Sequence, residues 1–197
     1  MKIKILLYLF ILFFVSCSTM KERQRFVSTT QKMTLNDSLV MEMHTIFTLD
    51  QGIRDTAVWD AKSKVVQSID SVCFVRTIDF IKKYGWPTRE LKGKYADYEP
   101  VSVAFVPVML HHPNRMFEPE IHELLVKQVR DGKLKAETVI LFFDKYWVFC
   151  KGKSLYNTGF KVLTKAKGVL KSDKELSDSL MREIGLNVLP DSVFVEQ

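Results

Sequence analysis

The sequence is poor in residues that interrupt secondary structure, and it contains no repeat and no low-complexity segment. Only 8 glycines and 6 prolines occur among its 197 residues, and the lack of an internal repeat excludes a repeat array. Hydrophobic residues make up 47% of the chain and charged residues 26%. Such a composition is typical of one globular domain with a substantial hydrophobic core.

Several catalytic signatures are also missing. The sequence has neither a G-x-S-x-G elbow nor a G-x-G-x-x-G loop, so neither an elbow hydrolase nor a dinucleotide-binding fold is indicated. Gly152-Lys153-Ser154 resembles the end of a phosphate-binding loop, but Trp147 stands where that motif needs its first glycine. A P-loop nucleotide site is therefore excluded.

The histidines do not form a metal-binding pattern. His122 begins an H-E-L-L-V segment, but Val126 occupies the place of the second histidine of a zinc-protease helix. His111 and His112 are adjacent, and adjacent histidines seldom face one ion together. We therefore expect no metal and no cofactor.

The first residues are typical of a bacterial export signal. Lys2 and Lys4 precede an unbroken apolar run, residues 5–15, which is short for a membrane span but suits a signal peptide. Ser16 and Cys17 follow, and this ending resembles a lipoprotein signal in which the cysteine is lipidated and becomes the new N-terminus. An ordinary cleaved secretory leader and a retained signal anchor are the alternatives.

The leader divides the chain into three parts. We expect a lipoprotein signal peptide at 1–16, the lipidated Cys17 with a polar tether at 17–35, and a helical domain at 36–197. Acyl chains such as palmitate would hold the protein on the membrane, since each buried methylene contributes about 0.8 kcal/mol. Because no aspartate follows Cys17, resemblance to the enteric sorting rule favours the outer membrane. Whether the domain faces the periplasm or the cell exterior stays open.

Two cysteines remain after lipidation, Cys73 and Cys150. An oxidising envelope permits a disulfide between them. Both lie in apolar segments, so two buried free thiols are the alternative that we favour.

Lysines are concentrated in the last third of the chain. The net charge of +6 decreases to +4 when Lys2 and Lys4 leave with the signal peptide. A lysine-rich surface can contact anionic lipid or nucleic acid, or it can be merely solvated. No aromatic residues alternate with these lysines as a stacking platform, so we expect no nucleic-acid partner. The lysines concerned are Lys151, Lys153, Lys161, Lys165, Lys167, Lys171 and Lys174.

Helical periodicity and turn residues predict a mainly α fold. One helix is expected from a cap at Asn36 or Asp37 to about Gly52. Another is expected at about 71–84, and its apolar residues are Val72, Val75, Ile78 and Phe80. Further helices are expected up to the glycines Gly132 and Gly152, and over residues 172–184. The last of these has a capping box, Ser172 with Glu175, and an apolar stripe of Leu176, Leu180 and Ile184.

The apolar segment at 100–112 is ambiguous between a buried strand and a buried helix. Pro107 argues against a central strand and would kink a helix.

An aspartate interrupts the apolar stripe of the first predicted helix. Asp50 shares the face of Met43 and Phe47, and Arg54 follows it four residues later, so the two side chains can pair. A charge facing a core costs several kcal/mol unless it is paired and hydrogen-bonded. Asp50 therefore indicates either a buried ion pair that docks helices or the wall of a polar pocket.

Three other segments place polar groups within or beside apolar elements. His111 and His112 end the apolar segment at 100–112, Asp144 interrupts a second one, and the loop after Gly152 carries Tyr156 and Thr158. Any of these groups is a potential partner for Asp50.

The motifs in order resemble the bacterial domain-of-unknown-function 6624 family, from about Val40 to Leu189. The resemblance rests on Asp50-Gln51 with Arg54, on Gly85-Trp86-Pro87, on His111-His112, on Gly132, on Asp144-Lys145, on Gly152 with Tyr156 and Thr158, and on Arg182 with Gly185-Leu186. The chain departs from the family pattern at Lys145, Asn157 and Gly159 and lacks a glutamine before Tyr156. The resemblance implies a helical domain with a characteristic polar signature, and it implies no known activity. Its signature residues here are Asp50, Gln51, Arg54, His112, Asp144, Tyr156 and Arg182.

Three functions are consistent with these residues. The first is a lipoprotein that binds a small anionic ligand or a peptide between helices, with Asp50, Gln51, Arg54, His112, Tyr156 and Arg182 as binding residues. The second is a hydrolase-like enzyme in which Asp144 or Asp50 orients His112 as a general acid or base. The third is a structural or interaction lipoprotein whose polar groups only fix the fold. No activated nucleophile is evident, so whether the protein is an enzyme stays open.

Overall fold

The protein is mainly α-helical, as the sequence predicts. The computed structural model describes residues 34–54 and 64–196. The chain divides into two units, residues 1–38 and 39–197, and every described helix and strand lies in the second unit, apart from the start of the first helix. The predicted signal peptide, Cys17 and nearly all of the tether lie outside the described residues.

The described residues form eight α-helices and one small sheet. The α-helices are α1 (Leu35–Gly52), α2 (Lys64–Tyr84), α3 (Arg89–Lys92), α4 (Glu99–Ser102), α5 (Phe105–His111), α6 (Pro119–Arg130), α7 (Ala136–Lys151) and α8 (Lys174–Glu183). The 3₁₀ turns are Gly93–Tyr95, Pro113–Arg115, Gly159–Leu163, Lys171–Asp173 and Asp191–Val193. Strands β1 (Val169–Leu170) and β2 (Phe194–Val195) pair in parallel, with Val169 opposite Phe194 and Leu170 opposite Val195.

The predicted end of α1 at Gly52 is confirmed, but its cap differs from the prediction. The Thr34 hydroxyl accepts a hydrogen bond from the Asp37 N–H at 3.1 Å, and the Asp37 carboxylate accepts one from the Thr34 N–H at 3.2 Å. This reciprocal pair is a capping box. The cap is therefore Thr34 rather than Asn36 or Asp37.

The ambiguous segment at 100–112 is helical. It forms α4 and α5, and Pro107 lies in the first turn of α5. The N–H groups of a first helical turn have no partner within the helix, so proline costs little there. The segment is apolar on most sides because α5 packs against both α2 and α7.

Helices α6 and α7 end at the predicted glycines. Gly132 and Gly152 both adopt left-handed backbone conformations, with φ of 69° and 70°. The Gly152 N–H returns to the carbonyls of Trp147 and Val148, which closes the end of α7. This position determines where the following loop begins.

Two predicted apolar faces are confirmed only in part. On α2, which begins at Lys64 rather than near residue 71, Ile78 and Phe80 are buried as predicted, whereas Val72 and Val75 are each 51% exposed. Of the stripe predicted for α8, Ile184 is buried but Leu176 is 38% exposed, and the buried residues within the helix are Ser177 and Met181. The cap of α8 is Asp173 and makes no side-chain hydrogen bond, so the predicted capping box of Ser172 with Glu175 is wrong.

The core is continuous from α1 to α8. Fully burying one large apolar side chain of this core contributes about 1.5–3 kcal/mol to the stability of the fold. Its largest fully enclosed side chains include Phe74, Phe105, Phe142, Phe143, Met43, Met109 and Leu125. In the described part of the chain, no helix has the length and apolar character needed to cross a membrane.

Candidate functional site

Asp50 is completely buried, one turn after the core residue Ile46 on α1. A carboxylate removed from water requires hydrogen-bond donors or cations around it. Three side chains supply them, so the charge that interrupts the apolar stripe is fully partnered.

The three partners of Asp50 come from two parts of the chain, the end of α1 and the end of α5. Gln51 Nε2 donates to Asp50 Oδ2 at 2.6 Å, and His111 Nδ1 lies 3.0 Å from Asp50 Oδ1. Arg54 Nη1 lies 3.3 Å from Asp50 Oδ1 and also donates to the main-chain carbonyl of Asp50. The predicted pairing of Asp50 with Arg54 is therefore observed.

Arg54 continues the cluster to α2. Its Nη2 donates to Asp70 Oδ1 at 2.7 Å, and the two side chains are only 18% and 19% exposed. Asp50, Gln51, Arg54, Asp70 and His111 together form the Asp50 cluster. The cluster holds the end of α1 to α2 and α5.

The hydrogen bond to Asp50 fixes the tautomer of His111. A carboxylate only accepts, so His111 Nδ1 carries the hydrogen and Nε2 is the basic nitrogen of the neutral ring. The His111 side chain is 26% exposed. An aspartate that orients a partly exposed imidazole is an arrangement suited to acid–base chemistry.

His112 has a different environment from the one predicted. Its Nδ1 donates to the Val108 carbonyl at 3.0 Å, and its ring lies 4.6 Å from that of Phe74. Burial lowers the pKa of His112, which favours the neutral ring. Neither Asp50 nor Asp144 orients this ring, and the histidine that meets Asp50 is the preceding residue, His111.

Asp144 organises the loop that follows α7. This completely buried carboxylate accepts main-chain hydrogen bonds from Leu155, Tyr156 and Thr158 at 2.9, 3.2 and 3.1 Å. It also accepts from the hydroxyls of Ser154 at 3.0 Å and Thr158 at 2.5 Å. All of its observed partners belong to residues 154–158, so it shapes this loop.

Tyr156 and Arg182 are not in contact with the Asp50 cluster. Tyr156 is buried with its ring 6.2 Å from that of Phe143, and burial, with Glu183 as a second cause, raises the pKa of its hydroxyl. Arg182 is 67% exposed, and its nearest carboxylate is that of Asp178 at 4.0 Å. Of these two predicted binding residues, Tyr156 thus lies in a buried aromatic cluster and Arg182 lies on the surface.

Lys145 contacts one aromatic ring of its own helix and one of the 3₁₀ turn that follows. Its ammonium is 5.4 Å from the centre of the Phe149 ring and 5.8 Å from that of Phe160. Among residues 34–54 and 64–196, no carboxylate is within ion-pair distance of it. Burial lowers its pKa, and the positive charge of Arg54 is the second cause.

Asp70 is the member of the cluster that the sequence analysis missed. It precedes the buried residues Cys73, Phe74 and Thr77 by three, four and seven positions, which places it on the buried face of α2. A charged residue on an apolar helix face is the pattern that identified Asp50, and the same pattern identifies Asp70.

The two cysteines of the domain are free thiols in different environments. Cys73 is buried, as predicted, whereas Cys150 is exposed at the end of α7. Burial, followed by the negative charge of Asp50, raises the pKa of Cys73 to about 11. Cys73 is therefore not an activated nucleophile beside the Asp50 cluster.

Comparison with known proteins yields no relative. No family model, no curated protein and no solved structure matches the chain. In the described part of the chain, no three histidine, cysteine, aspartate or glutamate side chains are grouped so that they could hold a metal ion.

Proposed function

We propose that this chain is a lipid-anchored protein of the bacterial cell envelope whose helical domain binds a small anionic ligand or an acidic peptide beside the Asp50 cluster. Its leader and Cys17 support the anchor, and the absence of aspartate after Cys17 supports the outer membrane. The order of its motifs supports membership of the domain-of-unknown-function 6624 family.

The ammonium of Lys145, which has no carboxylate partner among residues 34–54 and 64–196, is the observation that carries the binding proposal. Every charged member of the Asp50 cluster has an opposite charge or a hydrogen-bond partner, whereas within the described residues the contacts of the Lys145 ammonium are with two phenylalanine rings. A half-buried cation without a counter-ion is unfavourable, and so is its repulsion from Arg54. A carboxylate or phosphate placed between Lys145 and Arg54 would relieve both.

A thermal-shift screen of the full-length protein in neutral lipid nanodiscs would test this proposal. Small carboxylates and acidic peptides would be compared on the wild type, on Lys145→Met and on the control Lys94→Met, an exposed lysine elsewhere. A ligand present at a hundred times its dissociation constant should stabilise the fold by roughly 2.7 kcal/mol. The expected stabilisation disappears in Lys145→Met and persists in Lys94→Met. No stabilisation by any anion, or equal stabilisation of all three proteins, would contradict the proposal.

The pair of His111 and Asp50 favours acid–base catalysis as a second candidate function. With Asp50 at 3.0 Å from Nδ1, the Nε2 atom of His111 can accept a proton from water or from a bound ligand. His111→Gln separates this function from simple binding. A catalyst would lose turnover of a ligand found in the screen while still binding it, whereas a binding protein would show no turnover in either form.

Labelling tests the lipid anchor separately. Cells that express the wild type or Cys17→Ser would be supplied with an alkyne-tagged fatty acid. We expect label only on the wild type. Equal labelling of both proteins would refute lipidation at Cys17.

A further inference from the structure

A cavity of about 270 Å³ lies beyond the end of α7. Its wall includes Gly152 and Lys153 on one side and Lys165, Ala166 and Leu170 on the other. Liquid water occupies about 30 Å³ per molecule, so the cavity has the volume of roughly nine waters. None of the residues that line it belongs to the Asp50 cluster.

The walls of the cavity are held by the fold. The Lys153 N–H donates to the Trp147 carbonyl at 3.2 Å, immediately after the left-handed Gly152. Across the cavity, the Thr164 hydroxyl donates to the Lys161 carbonyl at 2.7 Å. Leu170 is fixed by strand pairing with Val195. The cavity is therefore formed before any ligand binds, and binding would require little reordering.

Gly168, another residue of the cavity wall, packs closely against β2. A Cβ atom at Gly168 would lie 3.3 Å from both methyl groups of Val195, so only glycine fits comfortably beside β2. Gly168 thus keeps the turn at 164–167 close to the sheet, with Lys165 and Ala166 facing the cavity wall.

Positive charge dominates the residues around this cavity. The Lys153 ammonium pairs with Asp173 at 2.7 Å and lies 5.4 Å from the centre of the Trp147 ring. Lys165 is exposed and, like its neighbour Lys167, has no ion-pair partner among the described residues. Within the described part of the chain, Asp173 is thus the single carboxylate paired with a lysine of the wall, and the cavity keeps an excess of positive charge.

The turn that carries Lys165 has an unfavourable backbone. Lys167 adopts φ of 51° although it is not glycine, and it is exposed, so no packing of its side chain compensates. The left-handed conformation is unfavourable for a residue other than glycine. It occurs here in the turn that places Lys165 in the wall of the cavity.

We propose that this cavity is a second binding site, for a phosphate group that carries a compact apolar body. Lys153 and Lys165 would receive the phosphate, and the apolar surfaces of Ala166 and Leu170 would contact the attached body. Both a free phosphomonoester and the headgroup of an anionic phospholipid have this chemistry. The site is independent of the ligand proposed for Lys145.

Isothermal titration of the full-length protein with phenyl phosphate and with inorganic phosphate would test the site. The protein would be held in phosphatidylcholine nanodiscs. We expect phenyl phosphate to bind more tightly than inorganic phosphate, because only the former has an apolar body. Lys165→Met should weaken binding roughly tenfold, the effect of losing one charge-assisted hydrogen bond, and the control Lys94→Met should leave it unchanged.

Ala166→Phe distinguishes the cavity from a merely cationic surface. This substitution keeps every charge and fills the cavity, so it should abolish binding of phenyl phosphate. Far-ultraviolet circular dichroism of each variant shows whether the fold persists, and Lys165→Met, at an exposed position, serves if Ala166→Phe does not fold. Wild-type affinity in a folded Ala166→Phe protein, or no binding of phenyl phosphate to the wild type, would overturn the proposal.

Two further arms separate the sources of phosphate and the two sites. Replacing a quarter of the phosphatidylcholine with phosphatidylglycerol should compete with phenyl phosphate if the natural occupant is a lipid headgroup, and should leave its affinity unchanged if the occupant is a free phosphomonoester. Lys145→Met should retain binding that is sensitive to Ala166→Phe. If Lys145→Met instead abolishes all binding of phenyl phosphate, the ligand occupies the Asp50 region alone, and the cavity is not a site.

Discussion

Replacing Asp144 with asparagine removes a charge without changing the volume of the side chain. In the wild type, Oδ1 accepts from the N–H groups of Leu155 and Tyr156, and Oδ2 accepts from the N–H and hydroxyl of Thr158. An asparagine keeps one acceptor oxygen and presents an NH₂ group in place of the other. Whichever orientation it takes, at least one buried main-chain N–H then faces a donor.

The magnitude of the effect can be worked out from these bonds. One unsatisfied buried N–H costs about 1–3 kcal/mol. The bonds that remain lose their charge assistance, and charge-assisted hydrogen bonds are roughly twice as strong as neutral ones. We therefore expect Asp144→Asn to lower the free energy of unfolding by about 3–5 kcal/mol, within the range for breaking a buried charged network. For a domain of this size the melting temperature should decrease by about 6–20 °C.

Urea denaturation followed by circular dichroism at 222 nm measures the effect. Asp79→Asn is the matched control, because Asp79 is an exposed aspartate of α2, and its replacement should change stability by less than about 0.5 kcal/mol. A loss below about 1 kcal/mol in Asp144→Asn would refute the conclusion that this carboxylate organises the loop at 154–158.

Three other outcomes can be measured on the same protein. Because burial lowers the pKa of His112 below its ordinary 6.5, the unfolded chain takes up this proton first as the pH decreases. The contribution of neutral His112 to the free energy of unfolding is therefore complete above about pH 6.5 and is lost as the pH falls towards the pKa of the folded state. Urea midpoints should decrease between about pH 7.5 and about pH 5, and they should decrease less in His112→Gln. Equal decreases in the two proteins would contradict this prediction. Maleimide should label exposed Cys150 within minutes but buried Cys73 only after unfolding, since the pKa of Cys73 is raised to about 11. Peptide mass spectrometry after brief labelling shows which thiol reacted. Early modification of Cys73 would disprove its burial. Arg182→Ala should change the free energy of unfolding by less than about 0.5 kcal/mol and leave anion binding intact, because this side chain is solvated. Weakened anion binding in the thermal-shift screen would show instead that Arg182 contributes to the anion-binding site.

The sequence predicted the elements whose ends are marked by glycine. Gly52, Gly132 and Gly152 end helices where expected, because a break in the apolar periodicity coincides with a residue that permits termination. It could not predict the face of α8, where Ser177 is buried although serine is polar. Ser177 donates to the Leu155 carbonyl at 2.6 Å, a contact between residues far apart in the chain.

The Asp50–Arg54 pair was predictable because the two residues lie four positions apart at the end of one helix. Which histidine would join them was not. His111 is the last residue of α5, whereas His112 follows it with φ of −120° and ψ of 50°, and this change of direction turns its ring towards Phe74. The backbone conformation at the end of a helix decides which of two adjacent histidines faces Asp50, and the sequence alone does not determine that conformation.

The hydrogen bonds of Asp144 also impose an order on folding when the chain emerges with its N-terminus first. Their donors lie 10–14 residues after the carboxylate and beyond Lys151, so they emerge after the whole of α7. Until Thr158 is available, docking α7 into the core would bury a charge without its partners, which is strongly unfavourable. Closing a loop of this length takes only about 10–100 ns once the residues are present. The helix should therefore stay undocked until the loop has emerged, and then join the core together with it.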